Sequence, residues 1–103
     1  DPFLFPTVLL GGTGAITASG HVCTERFVAM IECGLNGKIE DGRAHHEALL
    51  PVVDACFAEP NPSVFKGVLA AQGRIPTADV RLPLLNASDE SVAAAVAAVA
   101  AAS

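Results

Sequence analysis

The chain has 103 residues, of which 51% are hydrophobic and 17% are charged, and its formal net charge is −5. This length suits one domain, and the composition excludes a disordered chain, which would be polar and highly charged. The six basic residues are scattered and there is no Trp or Tyr. The charge runs and stacking side chains of a nucleic-acid-binding protein are therefore missing, and we expect no nucleic-acid partner.

The cysteines and the chain start indicate the compartment. Cys23, Cys33 and Cys56 are odd in number and form no CxxC pair, a pattern typical of reduced, intracellular thiols. Residues 1–10 are apolar but have no basic segment before them and contain two prolines, unlike a signal peptide. No continuous apolar stretch reaches the roughly 18–20 residues of a membrane span. We therefore expect a cytoplasmic chain without membrane contact, and its start at Asp1 suggests that an upstream segment was removed.

The first part of the chain has the pattern of a helix, a turn and a strand. An Asp-Pro start and a Gly-Gly stop predict a helix over residues 2–10. A Gly-Thr-Gly turn then leads into a short strand over residues 14–18. A single strand leaves its backbone N–H and C=O groups unpaired. Its partner strands must therefore lie outside this chain, as in a piece of a larger α/β protein.

Helical periodicity dominates the remainder. A helix is predicted over about 21–35, a second over about 40–57, a third after Asn61–Pro62 that ends at Gly73, and a last one after the N-cap Ser88. The side chains expected to point inward from the second and third helices are His46, Leu49, Leu50, Val53, Phe57, Val64, Phe65, Val68 and Leu69. Val92, Val96 and Val99 form a narrow apolar seam on the last helix.

Two loop motifs that could bind a ligand also have structural explanations. Glycines let backbone amides approach a phosphate, so Gly11–Gly14 could cradle an anion. These glycines precede the strand and match neither GxGxxG nor GxxxxGK[ST], which favours a tight turn. Likewise Glu59-Pro60-Asn61-Pro62 could be a loop site, but a helix stop, a turn and an N-cap explain it.

The histidines and cysteines do not have metal-ligand spacing. A zinc site needs three or four ligands at recognisable intervals, whereas His21 and Cys23 stand alone and His45 and His46 are adjacent. Adjacent helical residues point roughly 100° apart and cannot converge on one ion. We expect no metal. Cys23 also lacks an evident base that would make it a nucleophile.

Lys66 lies in a mainly apolar stretch. A desolvated lysine can form a Schiff base with a carbonyl substrate, but nothing nearby in the sequence supplies a proton shuttle. The alternative is a lysine whose stem packs while its ammonium reaches solvent or a carboxylate such as Glu59. The sequence favours that structural role.

Three motifs in order resemble the dihydrodipicolinate synthase family. Gly11-Gly12-Thr13-Gly14-Ala15-Ile16-Thr17 is similar to its GGxGxIS, Phe57-Ala58-Glu59-Pro60-Asn61-Pro62 with Lys66 to its F-x-EPNP-x-x-x-K, and Val80-Arg81-Leu82-Pro83-Leu84 to its LRLP. Thr17 stands where the family often has Ser. Related sugar-acid lyases share the glycine turn and strand, but we would not expect them to carry the other two motifs together.

The resemblance implies the C-terminal part of a (β/α)8 TIM barrel, mainly helical when isolated. Residues 1–37 would be the last helix-strand-helix part of the barrel, and residues 38–103 a helical C-terminal extension. The parent enzyme would condense pyruvate with aspartate semialdehyde through a Schiff base on the route to lysine and diaminopimelate, without a cofactor. On this mapping Lys66 matches a lysine of the extension and is not the catalytic one.

The resemblance carries one site position into this chain, the main-chain carbonyl of Ile16 beside bound pyruvate. The Schiff-base lysine and the tyrosine shuttle would lie upstream, so this chain alone should be inactive. It should also self-associate or bind the missing N-terminal barrel portion through its apolar first helix. Two alternatives stay open: a fragment of another pyruvate-dependent aldolase, and a free-standing helical oligomerisation module.

Overall fold

The computed structural model describes all residues, Asp1–Ser103, and its regular structure is helical throughout. The five α-helices are α1 (Leu4–Leu9), α2 (Thr24–Leu35), α3 (Ile39–Cys56), α4 (Ser63–Ala71) and α5 (Asp89–Ala102), and a 3₁₀ turn spans Ser19–His21. Each predicted helix is therefore present, and α3 continues through Pro51. The molecule measures 40 × 26 × 20 Å. No helix is both long and apolar enough to cross a membrane.

The strand predicted over residues 14–18 is not formed in this chain. Residues 12–17 have no regular secondary structure. A strand is stable only when its N–H and C=O groups pair with a neighbouring strand, and the rest of the described chain offers none. The prediction of a strand was therefore wrong for the chain by itself. The cause is the absence of partner strands, which the sequence also indicates.

The start of α1 also differs from the sequence prediction. Phe3 is the N-cap residue and makes no side-chain cap hydrogen bond, so Asp1 does not cap the helix. The Asp1 carboxylate bonds instead to the chain beyond the glycine turn, as described below. At the other end, Gly11 has a φ of +112°, a conformation that glycine adopts without steric cost. The Gly12 N–H donates to Thr7 O at 2.9 Å and closes the turn.

The larger part of the core lies where α3, α4 and α5 meet. It contains nine buried residues: Val22, Val52, Cys56, Val64, Phe65, Val68, Ala95, Val99 and Ala102. Small residues let the helices approach closely, because a Cβ on Gly67 would come within 2.5 Å of Val92 Cγ2. Ala95 in α5 is fully buried. The alanine-rich sequence of α5 is thus matched to a tight contact with α4.

A second apolar cluster joins α1 to α2 and α3. Its five buried members are Phe5, Phe27, Met30, Leu49 and Val53. The ring of Phe5 fits a notch left by two glycines, since a Cβ on Gly42 would overlap the ring and one on Gly34 would approach it to 3.5 Å. This cluster contains residues from both 1–37 and 38–103.

Two side chains of α3 that we predicted to be buried are on its surface. Leu50 is 37% exposed and Phe57 is 42% exposed. The buried stripe of α3 consists of Leu49, Val52, Val53 and Cys56, so Leu50 lies roughly 100° away from Leu49. The helix ends at Cys56, and Phe57 is its C-cap residue. The Phe57 ring keeps an edge-to-face contact with Phe65, with the centroids 5.2 Å apart.

The N-termini of α4 and α5 are built differently. We expected Asn61 to cap α4, but the N-cap residue is Pro62 and no side chain caps the helix. The N-cap of α5 is Ser88, as predicted, and its hydroxyl accepts a hydrogen bond from Ser91 N at 3.2 Å. Asp89 and Glu90 follow in the first turn, where carboxylates interact favourably with the helix dipole.

Candidate functional site

The segment that carries Ile16 runs along the surface between the glycine turn and the 3₁₀ turn. The Ile16 side chain is fully exposed, and residues 13–17 take part in no backbone–backbone hydrogen bond. Gly11–Gly14 closes α1 and turns the chain into this segment, in agreement with the tight turn that we favoured over an anion cradle.

The Asp1 carboxylate fixes the end of this segment. Its Oδ2 atom accepts hydrogen bonds from Thr17 Oγ1 at 2.8 Å, Ser19 N at 3.0 Å and Ser19 Oγ at 2.6 Å. Ser19 is fully buried. Hydrogen bonds to an ionised carboxylate are about twice as strong as neutral ones. The backbone immediately after Ile16 is therefore tied to the start of α1.

Sequence reasoning missed this role of Asp1. An Asp-Pro pair before an apolar run is a common helix-start signal, and no sequence pattern connects Asp1 with Ser19, which lies 18 residues further along the chain. This contact requires the turn at Gly11–Gly12 to direct the chain after α1 back toward the start of α1. Only the folded chain shows it.

Glu59 joins the α3–α4 turn to the start of α5. Its Oε2 atom accepts hydrogen bonds from Ser88 N at 3.0 Å and Ser88 Oγ at 2.8 Å. Hydrogen bonding from Ser91, together with these contacts from Ser88, holds the pKa of Glu59 below its ordinary value. The Glu59–Pro62 motif thus has a structural role, although it is a bond from Glu59 to the start of α5 and not the Asn61 cap that we expected.

Lys66 does not reach Glu59. Its ammonium donates to the backbone carbonyl of Asp79, while Ser63 Oγ on the same helix donates to Leu85 O at 2.8 Å. The Asn86 amide donates to the Asp79 carboxylate at 3.2 Å. Lys66 therefore holds the irregular segment 72–88 against α4, which is a structural use of its charge.

The histidines and cysteines are dispersed. No group of three or more His, Cys, Asp or Glu side chains lies close enough together to hold a metal ion. The His46 ring contacts the Phe5 ring, with the centroids 5.8 Å apart. Burial raises the pKa of Cys23, against a smaller opposing effect of Arg26, and burial with the neighbouring Cys23 raises the pKa of Cys56 to about 11. Both thiols are thus held protonated, unlike a nucleophilic cysteine.

Comparison with known proteins gives the family. A sequence model of the dihydrodipicolinate synthetase family matches residues 1–102. The chain belongs to this family.

Two curated relatives illustrate the sequence similarity. The 4-hydroxy-tetrahydrodipicolinate synthase of Syntrophus aciditrophicus is 36% identical over 91 residues, which are 88% of this chain and 31% of that protein. The synthase of Methanocaldococcus jannaschii is 37% identical over 90 residues, 87% of this chain and 31% of that protein. The chain spans about a third of the length of these curated relatives.

Solved structures of dihydrodipicolinate synthases also resemble this chain. The chain superposes on a dihydrodipicolinate synthase from Thermotoga maritima with a TM-score of 0.93 at 29% identity, covering 99% of this chain and 34% of that one. A monomeric dihydrodipicolinate synthase variant gives a TM-score of 0.92 at 30% identity, with 98% and 33% covered. The predicted fold class, a mainly helical chain corresponding to the C-terminal part of a TIM barrel, is confirmed.

Proposed function

We propose that this chain is the C-terminal third of a dihydrodipicolinate synthase, a cytoplasmic lyase that condenses pyruvate with aspartate semialdehyde through a Schiff base. The observation that carries the proposal is the superposition of 99% of the chain on about a third of a synthase structure. In this assignment residues 1–37 complete the barrel and residues 38–103 form the extension. The substrates belong to the whole enzyme, and the chain by itself is inactive.

Ile16 has a defined role in this proposal: its main-chain carbonyl faces bound pyruvate at the end of the last barrel strand. Active sites of such barrels lie at the carboxyl ends of the strands. The backbone groups of residues 13–17 are free to pair with neighbouring strands, because they make no backbone–backbone hydrogen bond within the chain. The Asp1 carboxylate, bonded to Thr17 and Ser19, then fixes the backbone that directly follows Ile16.

A chimeric enzyme tests the assignment. The last third of the Thermotoga maritima synthase is replaced by this chain, and condensation of pyruvate with aspartate semialdehyde is measured. We expect activity, because the fold of the chain matches that third of the synthase. A matched control carries a Gly-Ser repeat of equal length in place of residues 12–17 and should be inactive. A folded chimera without activity would contradict the proposal.

The same chimera distinguishes the proposed synthase from the alternative, another pyruvate-dependent aldolase. Other pyruvate-dependent aldolases take a different aldehyde, so turnover is compared with aspartate semialdehyde and with a sugar aldehyde. A preference for the sugar aldehyde that depends on this chain would favour the alternative. A free-standing helical module would support neither reaction.

The chain by itself provides a second test. We expect that incubation with pyruvate and borohydride leaves its mass unchanged, because it has no tyrosine shuttle and Lys66 is engaged with Asp79. Mass spectrometry is the measurement. A stable pyruvate adduct on Lys38 or Lys66 would show that the Schiff-base site lies in this chain and would overturn the assignment.

A further inference from the structure

A cavity of about 570 Å³ lies where the start of α2, the middle of α3 and the end of α5 meet. This volume is in the range of small-molecule sites, roughly 300–1,000 Å³. Its polar lining includes Thr24, Glu25, Arg26, His45, Arg74 and Ser103. The chain has only six Lys and Arg residues in total, yet folding brings Arg26, Arg74 and His45 to one cavity from three separate parts of the sequence.

Both guanidinium groups are held in place by backbone carbonyls. Arg26 Nε donates to Ala102 O at 2.6 Å, and Arg74 Nη1 donates to His21 O at 2.8 Å. An arginine has five N–H donors, so each group keeps several donors for another acceptor. Side chains that are already oriented lose less conformational entropy when a ligand binds.

The contact between Arg26 and His45 determines which ring nitrogen of the neutral histidine carries the proton. Arg26 Nη1 lies 3.2 Å from His45 Nδ1. Because a guanidinium can only donate, Nδ1 must be the acceptor, and the proton of the neutral ring is on Nε2. The histidine therefore has an N–H donor of its own in addition to those of the arginines.

Negative charge on the lining limits which anion can bind. Glu25 also lines the cavity, so a carboxylate lies near the two guanidinium groups. A singly charged anion would gain little against this carboxylate. An anion with two or more charges can engage both guanidinium groups at once, in the bidentate geometry that arginine forms with carboxylate and phosphate.

We propose that this cavity binds a small, multiply charged oxyanion, a di- or tricarboxylate or a phosphate, between Arg26 and Arg74. The site is separate from the Ile16 segment and does not depend on the proposed condensation. Its occupant would join α2, α5 and the chain after α4, so binding would stabilise the packing of the last helix.

NMR titration of the full chain tests the proposal. Citrate and phosphate are added at constant ionic strength, with chloride as the reference, and backbone amide shifts are followed. We expect saturable shifts at residues of the cavity lining with citrate, phosphate or both, and no saturation with chloride. Binding of citrate alone identifies a polycarboxylate site, and binding of phosphate alone identifies a phosphate site. Absence of saturable shifts with both anions would overturn the proposal.

Matched arginine variants locate the site. Arg74→Ala should weaken binding at least about tenfold, because charge-assisted hydrogen bonds are lost. Arg81→Ala removes an exposed arginine outside the lining and should change the affinity by less than about twofold. Arg26→Lys keeps the charge and should still weaken binding, since it loses the fork geometry. Equal losses in the Arg74 and Arg81 variants would show that binding follows net charge only, which would also overturn the proposal.

Discussion

At the scale of single residues, Cys56 makes the stability of the folded chain depend on pH in the alkaline range. Its pKa is raised to about 11, mainly by burial, so the folded chain holds this proton more tightly than the unfolded chain. The resulting stability is present below the ordinary thiol value of 9.0 and is lost as the pH rises toward about 11. We expect a loss on the order of 2 kcal/mol over that interval.

Denaturant unfolding at pH 8.5, 9.5 and 10.5 measures this effect. The chain has no tyrosine, so tyrosine ionisation does not contribute in this range. Cys56→Ala should flatten the decline of the unfolding free energy with pH, whereas Cys33→Ala, at a half-buried position, should leave the decline in place. Equal slopes in all three proteins would contradict the role of Cys56.

Glu59 gives the opposite pH dependence. Its pKa is lowered by hydrogen bonds from Ser91 and Ser88, so its contribution is present above the ordinary carboxyl value and is lost as the pH falls through the lowered one. We expect Glu59→Gln to remove part of the acid sensitivity of α5. Hydrogen exchange of residues 89–102 between pH 6 and pH 3 measures it. Glu47→Gln, on the exposed surface of α3, is the control and should keep the acid sensitivity of the parent.

Single residues also show where prediction from the sequence ends. The Ser88 cap is local, since its partner Ser91 is three residues away, and the sequence predicts it. The carboxylate bonds of Asp1 and the convergence of Arg26 and Arg74 depend on contacts between distant parts of the chain. Residue type and local spacing do not predict such contacts.

At the scale of elements, the contact between α4 and α5 depends on the missing side chain of Gly67. Gly67→Ala would place a Cβ 2.5 Å from Val92 Cγ2, so we expect destabilisation by about 1–3 kcal/mol from overpacking. Urea denaturation measures the change. Gly14→Ala has no heavy atom within 4 Å of the added Cβ and should be close to neutral. If the clash is the cause, Val92→Ala should recover part of the loss when combined with Gly67→Ala.

Helix α3 has two large side chains that should respond very differently to truncation. Leu49 is 2% exposed and belongs to the cluster shared with α1 and α2, so Leu49→Ala should cost about 2–5 kcal/mol. Phe57 is 42% exposed, so Phe57→Ala should cost clearly less. Chemical denaturation of both variants is the measurement. A larger loss for Phe57→Ala would mean that α3 continues past Cys56 and buries this ring.

Elements were predicted well because helical periodicity is a local signal. The apolar spacing in 24–35 and 39–56 follows one face of a helix. The error at Phe57 came from an end point one residue too late, which moved a C-cap residue into the expected core. The strand error had another cause, because strand formation depends on partners that this chain does not contain.

At the scale of the whole molecule, three exposed apolar side chains lie around α1 and the segment after it. Phe3, Leu10 and Ile16 are 73%, 90% and 104% exposed, respectively. We expect the chain to self-associate through these side chains, since contact between copies would remove their apolar area from water. Light scattering across a concentration series should show a mass above 10.5 kDa.

A pair of multiple variants locates the contact. Changing Phe3, Leu10 and Ile16 to Ser should restore the monomer. Changing Leu82 and Leu85 to Ser removes two other exposed leucines and should leave the association unchanged. A parent chain that remains monomeric at all concentrations would contradict the prediction.

The unpaired residues 12–17 also bear on the order of events during synthesis. In the proposed enzyme the last barrel strand spans residues 14–18, most of which lie in this segment, and the ribosome releases it after the other strands. Domains are made from the N-terminus at about 5–20 residues per second, so the earlier strands would wait with two open sheet edges until residues 12–17 emerge. Open edges can pair with other chains. Pairing of the last strand would thus close both sheet edges, and the enzyme would be exposed to aggregation until its last third has been synthesised.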